Sequence, residues 1–149
     1  MAAWIGYLRG HAALTRAVNA NLVAAHGLTI NDYEVLLHLS HAPERALRRV
    51  DLAERLVLTP SGITRLLDGL QRAGWVEKGS CASDARVTYA VLTNAGLAKL
   101  REAAPSHVED VREHFARRFS DEELETLAGL LSRLDGTGNM DCTPPDAAS

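Results

Sequence analysis

Apolar side chains recur at spacings of three and four in six stretches of this chain and alternate with polar ones in two short runs. Between residues 3 and 26, Trp4, Ile5, Tyr7, Leu8, Leu14, Val18 and Leu22 fall at helical spacing and Gly27 closes the run, which predicts one amphipathic helix. Asn31 is the expected cap of a second, in which Tyr33, Val35, Leu36, Leu37 and Leu39 leave little polar surface before His41-Ala42-Pro43. Such broad apolarity predicts a buried helix. A short connector at 45–49, with one or two extended residues, leads to a brief helix at 50–56 that turns Leu52, Ala53 and Leu56 inward.

Residues 58–74 carry the clearest end signals. Thr59 can cap a helix with its hydroxyl, Pro60 suits the first helical position, and Gly74 supplies the left-handed stop. Ile63, Leu66, Leu67 and Leu70 form one stripe, while Ser61, Thr64, Arg65, Asp68 and Arg72 lie on or beside the opposite face. Only about three residues separate this helix from the brief one before it, which is helix-turn-helix spacing.

After Gly74 the period changes to two. Trp75 to Lys78 and Arg86 to Leu92, around a Gly/Ser/Asp loop at 79–85, predict a β-hairpin. A helix opening at Thr93-Asn94-Ala95-Gly96 is expected to run with Leu97, Leu100, Ala104, Val108, Val111, Phe115 and Phe119 as its stripe, kinked by Pro105. Ser120 and Glu123 form a capping box ahead of Leu124, Leu127, Leu130, Leu131 and Leu134. From Gly136 the aperiodic Gly, Thr, Asn, Pro, Ala and Ser predict a disordered tail. The expected fold is mainly α with a small β-hairpin wing. A winged helix-turn-helix spans 31–92, and a helical region is built from 1–30 and 93–135.

Composition narrows the function. The net charge of −3 hides a division: residues 45–101 hold ten Lys or Arg against five acids, or +5, and the flanks six against fourteen, or −8. A basic middle between acidic ends is the footprint of a chain whose middle alone meets phosphate. No apolar run approaches a membrane span and no signal pattern opens the chain, so a cytoplasmic protein is expected. Cys81 and Cys142 have no ligand or disulfide spacing, and six histidines include no HExxH motif, with His38 and His41 the one pair a single turn apart. Neither metal nor cofactor is predicted. No Gly-rich phosphate loop, GxSxG or Ser/His/Asp pattern suggests an enzyme.

Residues 51–68 together with 70–77, the Asp84-Ala85-Arg86 of the wing, and Leu92-Thr93-Asn94-Ala95-Gly96 resemble the MarR family of bacterial transcriptional regulators. The resemblance is dense over residues 48–100. It implies a DNA-binding regulator, a repressor by expectation, that reads a palindromic operator in double-stranded DNA as a homodimer, since a single reading head sees too few base pairs. Thr59, Pro60, Ser61, Gly62, Thr64 and Arg65 open the reading helix, and short side chains there let the backbone approach the groove. Arg65 can grip guanine or a phosphate. Arg86, oriented by Asp84, is implied at the minor groove, and Arg48, Arg49, Arg72 and Lys78 are candidates for the phosphates.

The family commonly lets go of DNA when a small aromatic or phenolic molecule binds between the dimerisation helices and the reading domain. Trp4, Tyr7, His11, Tyr33, His38 and His41 are the candidates for lining such a pocket, an apolar wall with polar tips. Some relatives sense oxidants with a cysteine in the amino-terminal helix, where this chain has none; Cys81, in the wing loop where oxidation would disturb docking in the minor groove, is expected to be an exposed bystander thiol. The alternative is a winged-helix module that binds protein and lacks specific DNA binding.

Overall fold

A computed structural model describes residues 1–80 and 87–134. Helix α1 (Ala2–His26) ends at Gly27, whose φ of 67° is the left-handed stop expected of it. Helix α2 (Ile30–His41) is capped by Thr29 and not by Asn31. The Thr29 hydroxyl accepts the Asp32 N–H at 3.1 Å while the Asp32 carboxylate accepts the Thr29 N–H at 2.8 Å, and this reciprocal pair satisfies two otherwise orphaned donors where a cap at Asn31 would satisfy one.

Strand β1 (Ala46–Arg48), helix α3 (Arg49–Arg55), helix α4 (Pro60–Arg72), and strands β2 (Val76–Ser80) and β3 (Thr88–Leu92) follow. Where one or two extended residues were expected at 45–49, a three-residue strand is a full sheet member: β1 pairs with β3, so the sheet is antiparallel in the order β1-β3-β2. The hairpin's first strand is longer than expected, because Gly79 and Ser80 pair with Tyr89 and Thr88 instead of joining the loop. Its second starts later, at Thr88.

Helix α5 (Asn94–His114) runs through Pro105. Arg101 and Pro105 are both exposed, so the carbonyl deprived of its donor by the proline is within reach of water. The helix stops short of the expected stripe: the backbone turns at Phe115, a 3₁₀ turn fills Ala116–Arg118, and Phe119 lies beyond it with its ring 5.4 Å from that of Phe115. Helix α6 (Asp121–Leu131) has the predicted capping box, Ser120 with Glu123.

One contiguous core holds Leu22 of α1, Leu36 and Leu39 of α2, Leu52 of α3, Ile63 and Leu70 of α4, and Leu100 of α5, each at most 1% exposed. Burying one such side chain contributes about 1.5–3 kcal/mol. Polar contacts add to the α1–α5 packing: Asn21 donates to Asp110 at 3.0 Å, and the His26 ring lies 2.6 Å from Ser106 Oγ and 3.3 Å from a Glu102 oxygen. In contrast α6 buries no residue. Trp4, Ile5, Tyr7, Leu8, Leu130 and Leu134, at the two ends of the described chain, are all exposed.

Candidate nucleic-acid interface

The exposed face of α4 is prepared locally and held from behind. Thr59 Oγ1 accepts the Gly62 N–H at 3.1 Å, and Ile63, Leu67 and Leu70 bury the opposite side in the core. Gly62 also leaves room for the cap: a Cβ there would stand 3.1 Å from the capping hydroxyl, a tight contact. Ser61 is exposed, 3.2 Å from that same hydroxyl. Thr64 donates its hydroxyl to the Pro60 carbonyl at 2.8 Å and stands 3.5 Å from an Arg49 nitrogen, so its polar atom is committed within the helix and toward α3.

The cations differ in how far they are already engaged. Arg48 makes a two-pronged contact with Asp51 at 2.8 and 2.6 Å, which raises the guanidinium pKa and lowers that of the carboxyl, chiefly through the hydrogen bonds. Arg72 donates its Nε to the Asp68 carbonyl at 3.2 Å, and Lys78 lies 3.8 Å from the Asp68 carboxylate across an exposed gap. Among the described residues no hydrogen bond or ion pair engages Arg65, which shares a shallow open depression with Asp68, Gln71 and Arg72. A second hollow, between α4 and the sheet, is bordered by Arg49, Thr64, Gln71, Lys78 and Tyr89. Asp84, Arg86 and Cys81 of the wing, together with Cys142 and the tail from Gly136, lie outside the described residues.

A family profile described as MarR family matches residues 26–87. The structure of AbsC, a MarR family transcriptional regulator from Streptomyces coelicolor, superposes with a TM-score of 0.83 at 33% identity, over 91% of this chain and 90% of that one. The chain belongs to the MarR family. A second MarR family regulator from the same organism, solved in complex with DNA, superposes with a TM-score of 0.85 at 28% identity, over 96% of this chain and 90% of that one. The transcriptional repressor YetL of Bacillus subtilis is 32% identical over 111 residues, 74% of this chain and 66% of that protein. A mostly helical winged-helix fold is thus common to this chain and to solved MarR family regulators.

The six expected effector residues fall into distinct surroundings. Trp4, Tyr7 and His11 form a ladder along the exposed start of α1, with successive ring centroids 6.2 Å apart. Tyr33 is instead buried, its ring 4.2 Å from that of His107. His38 is half-buried, and burial, then Arg55 and His41, hold its pKa below the ordinary histidine value. Neither hollow beside α4 is bordered by any of the six. Among the described residues no group of three His, Cys, Asp or Glu side chains is placed to hold a metal ion, and no helix is long and apolar enough to cross a membrane.

Two positions outside the expected site residues shape the junctions around α4. Gly96 opens α5 so close to the wing base that a Cβ would lie 2.1 Å from the Trp75 carbonyl oxygen. Val57 occupies the helix-turn-helix turn with φ of 53° and 91% exposure. The Leu-Thr-x-x-Gly motif was a signal for the first, whereas nothing local marks the second.

Proposed function

We propose that this MarR family member is a homodimeric repressor that binds an inverted-repeat operator and releases it when a small aromatic or phenolic ligand binds. The observation that carries the reading is α4: a helix capped and buried on one side, with Ser61 and Arg65, the latter unengaged among the described residues, on the other. In this reading Thr59, Pro60, Ser61, Gly62, Thr64 and Arg65 enter the major groove, and Arg49, Arg72 and Lys78 meet phosphates. Arg48 joins them by sharing its guanidinium with Asp51. Asp84 and Arg86 serve the minor groove from the wing.

Residues 1–30 and 93–135 form the dimerisation region in this reading, and 31–92 the reading domain. The apolar side chains left exposed on α1 and α6 support a self-association surface, since a solvated helix has no use for Leu130 at 52% and Trp4 at 59% exposure on the same molecule. The Trp4, Tyr7 and His11 ladder is the effector surface retained, completed by a partner. Of the candidates on α2, His38 is half-buried and His41 exposed, while Tyr33 is buried against His107.

A gel-shift titration against the DNA flanking the protein's own gene tests the function. Salt-sensitive binding to an inverted repeat, abolished by scrambling one half-site, is expected. Binding that is weak, indifferent to sequence and insensitive to salt would overturn it in favour of a protein-binding module.

A further inference from the structure

Asp68 is the one acid of α4, and it stands on the exposed side of that helix among cations. At about 100° per residue, Ser61, Arg65, Asp68 and Arg72 fall within about 60° of one another around the helix, opposite the buried Ile63, Leu67 and Leu70. All four are exposed. Asp68 borders both hollows, the one shared with Arg65 and Arg72 and the one shared with Arg49 and Lys78 beside the sheet. A carboxylate in that place repels the phosphates that these cations attract, so it works against general affinity. Its local ties do not account for it. The contact with Lys78 is 3.8 Å long, between side chains 63% and 50% exposed, and such a pair contributes little. Arg72 is held by the Asp68 carbonyl, which any residue would supply. Among the described residues no hydrogen bond engages the Asp68 carboxylate oxygens.

Resting on α4 as the groove-entering helix of the preceding section, we propose that Asp68 is a specificity-determining residue that accepts a hydrogen bond from the N4 amino group of a cytosine in each operator half-site. Carboxylate oxygens accept hydrogen bonds and cannot donate them. In the major groove the donors on offer are the adenine N6 and cytosine N4 amino groups. Adenine sets its N7 acceptor beside that amino group, where it repels the second carboxylate oxygen, whereas the edge of cytosine presents the amino group with no acceptor of its own. Guanine and thymine present acceptors without a donor, so a carboxylate pressed against them is desolvated and unpaired. Arg72 and Lys78 draw DNA in whatever its sequence, and Asp68 makes every base but cytosine costly at one position. Discrimination is gained there by penalising the wrong partner, at the expense of general affinity.

Fluorescence anisotropy of the full-length protein tests the proposal, with the operator found by gel shift, its single-base-pair variants and a random duplex. For the wild-type protein, replacing the cytosine at one position of each half-site is expected to weaken binding by about tenfold or more. In Asp68→Ala that penalty is expected to shrink to about twofold or less, while the random duplex binds several-fold tighter because a repulsive charge is gone. Asp68→Asn is expected to turn the preference at the same position toward adenine, since an amide both accepts from N6 and donates to N7. Lys78→Met removes the ion pair, and is expected to weaken all duplexes alike while the cytosine preference stays. Far-ultraviolet circular dichroism checks that each variant is folded. A wild-type operator with no such cytosine position, or a folded Asp68→Ala that keeps the wild-type ranking of base pairs, overturns the proposal. So does a Lys78→Met that loses the cytosine preference, because Asp68 would then act only as a brace for the wing. A wild-type protein that binds operator and random duplex alike overturns the operator reading itself.

Discussion

Thr93 donates its hydroxyl to the Gly74 carbonyl at 2.8 Å, and its backbone N–H bonds the neighbouring Trp75 carbonyl at 3.1 Å. The same hydroxyl caps α5 by accepting the Gly96 N–H at 3.0 Å. One threonine therefore fastens the stop of α4 to the start of α5, and Lys99, 5.8 Å above the Trp75 ring, extends the junction by one turn. These bonds tie the position of α5 directly to the end of α4.

Gly96→Ala is expected to destabilise the chain by about 2 kcal/mol or more, because its Cβ would overlap a backbone oxygen that cannot move aside. Gly69→Ala on α4, where nothing lies within 4 Å of the new methyl, is the control. It is expected to be neutral or to stabilise by up to about 1 kcal/mol. Urea unfolding of both variants checks the contrast.

Val57→Asn is expected to stabilise by about 1 kcal/mol. Helix α3 ends with the Leu58 N–H bonded to the Ala53 carbonyl at 2.8 Å, just as α4 ends with Trp75 bonded to Leu70 at 3.0 Å. Both ends need a left-handed residue, and α4 uses Gly74 where α3 uses a β-branched valine. Asparagine tolerates that conformation, and the exposed valine gives up almost no burial. A rise in Tm of roughly 2–4 °C is the expected readout.

Stability is expected to fall as pH drops from neutral through the histidine range. Burial lowers the pKa of His107, against a weaker upward pull from Asp110, and lowers that of His38. Both are thus held below the unfolded value of 6.5. Below that value the unfolded chain binds protons that the folded chain resists, so the contribution present above it is lost progressively toward the lowered values. The buried Nδ1 of His107, with no hydrogen-bond partner among the described residues, marks the ring as one that gains nothing from a second proton in place. Urea midpoints on either side of the histidine range, compared with those of His107→Gln, check the dependence, which the variant is expected to weaken.

Arg65→Ala and Arg49→Ala are expected to separate reading from anchoring. Losing Arg65 should cost about 1–3 kcal/mol at the operator and relax preference at one base pair, with no loss of stability, because the side chain has no partner among the described residues. Losing Arg49 should weaken binding to all sequences alike and reduce the salt slope by about 1. Fluorescence anisotropy at several salt concentrations, with operator and random duplexes, distinguishes the two outcomes.

The elements most legible in the sequence are those whose ends are local. Thr59, Pro60 and Gly74 bracket α4 within a residue or two because each acts on its own backbone. At α2 the cap is Thr29 and not the expected Asn31, because Asp32 stands three residues after Thr29. Strand β1 is three residues long and exists through its pairing with β3, more than forty residues away in sequence, so no periodicity could reveal it. The stripe of α5 overran its helix since Phe115 and Phe119 keep the spacing after the backbone has turned. At the interface, residue types were readable, but not which were spoken for. Thr64 proves to be turned onto Pro60 and Arg48 onto Asp51, leaving Arg65 to face outward.

Helix α6 leaves all of its leucines at least partly open within its own chain. Under the proposed assembly, this makes the protein's durability a function of its abundance, since a partner that binds only the folded state adds stability by mass action. Newly made chains at low copy number would then be the ones most open to proteolysis, and a rising population would protect itself. A regulator of this kind would carry a threshold in its own carboxy-terminal helix, set by how many copies are present before any operator or effector is considered.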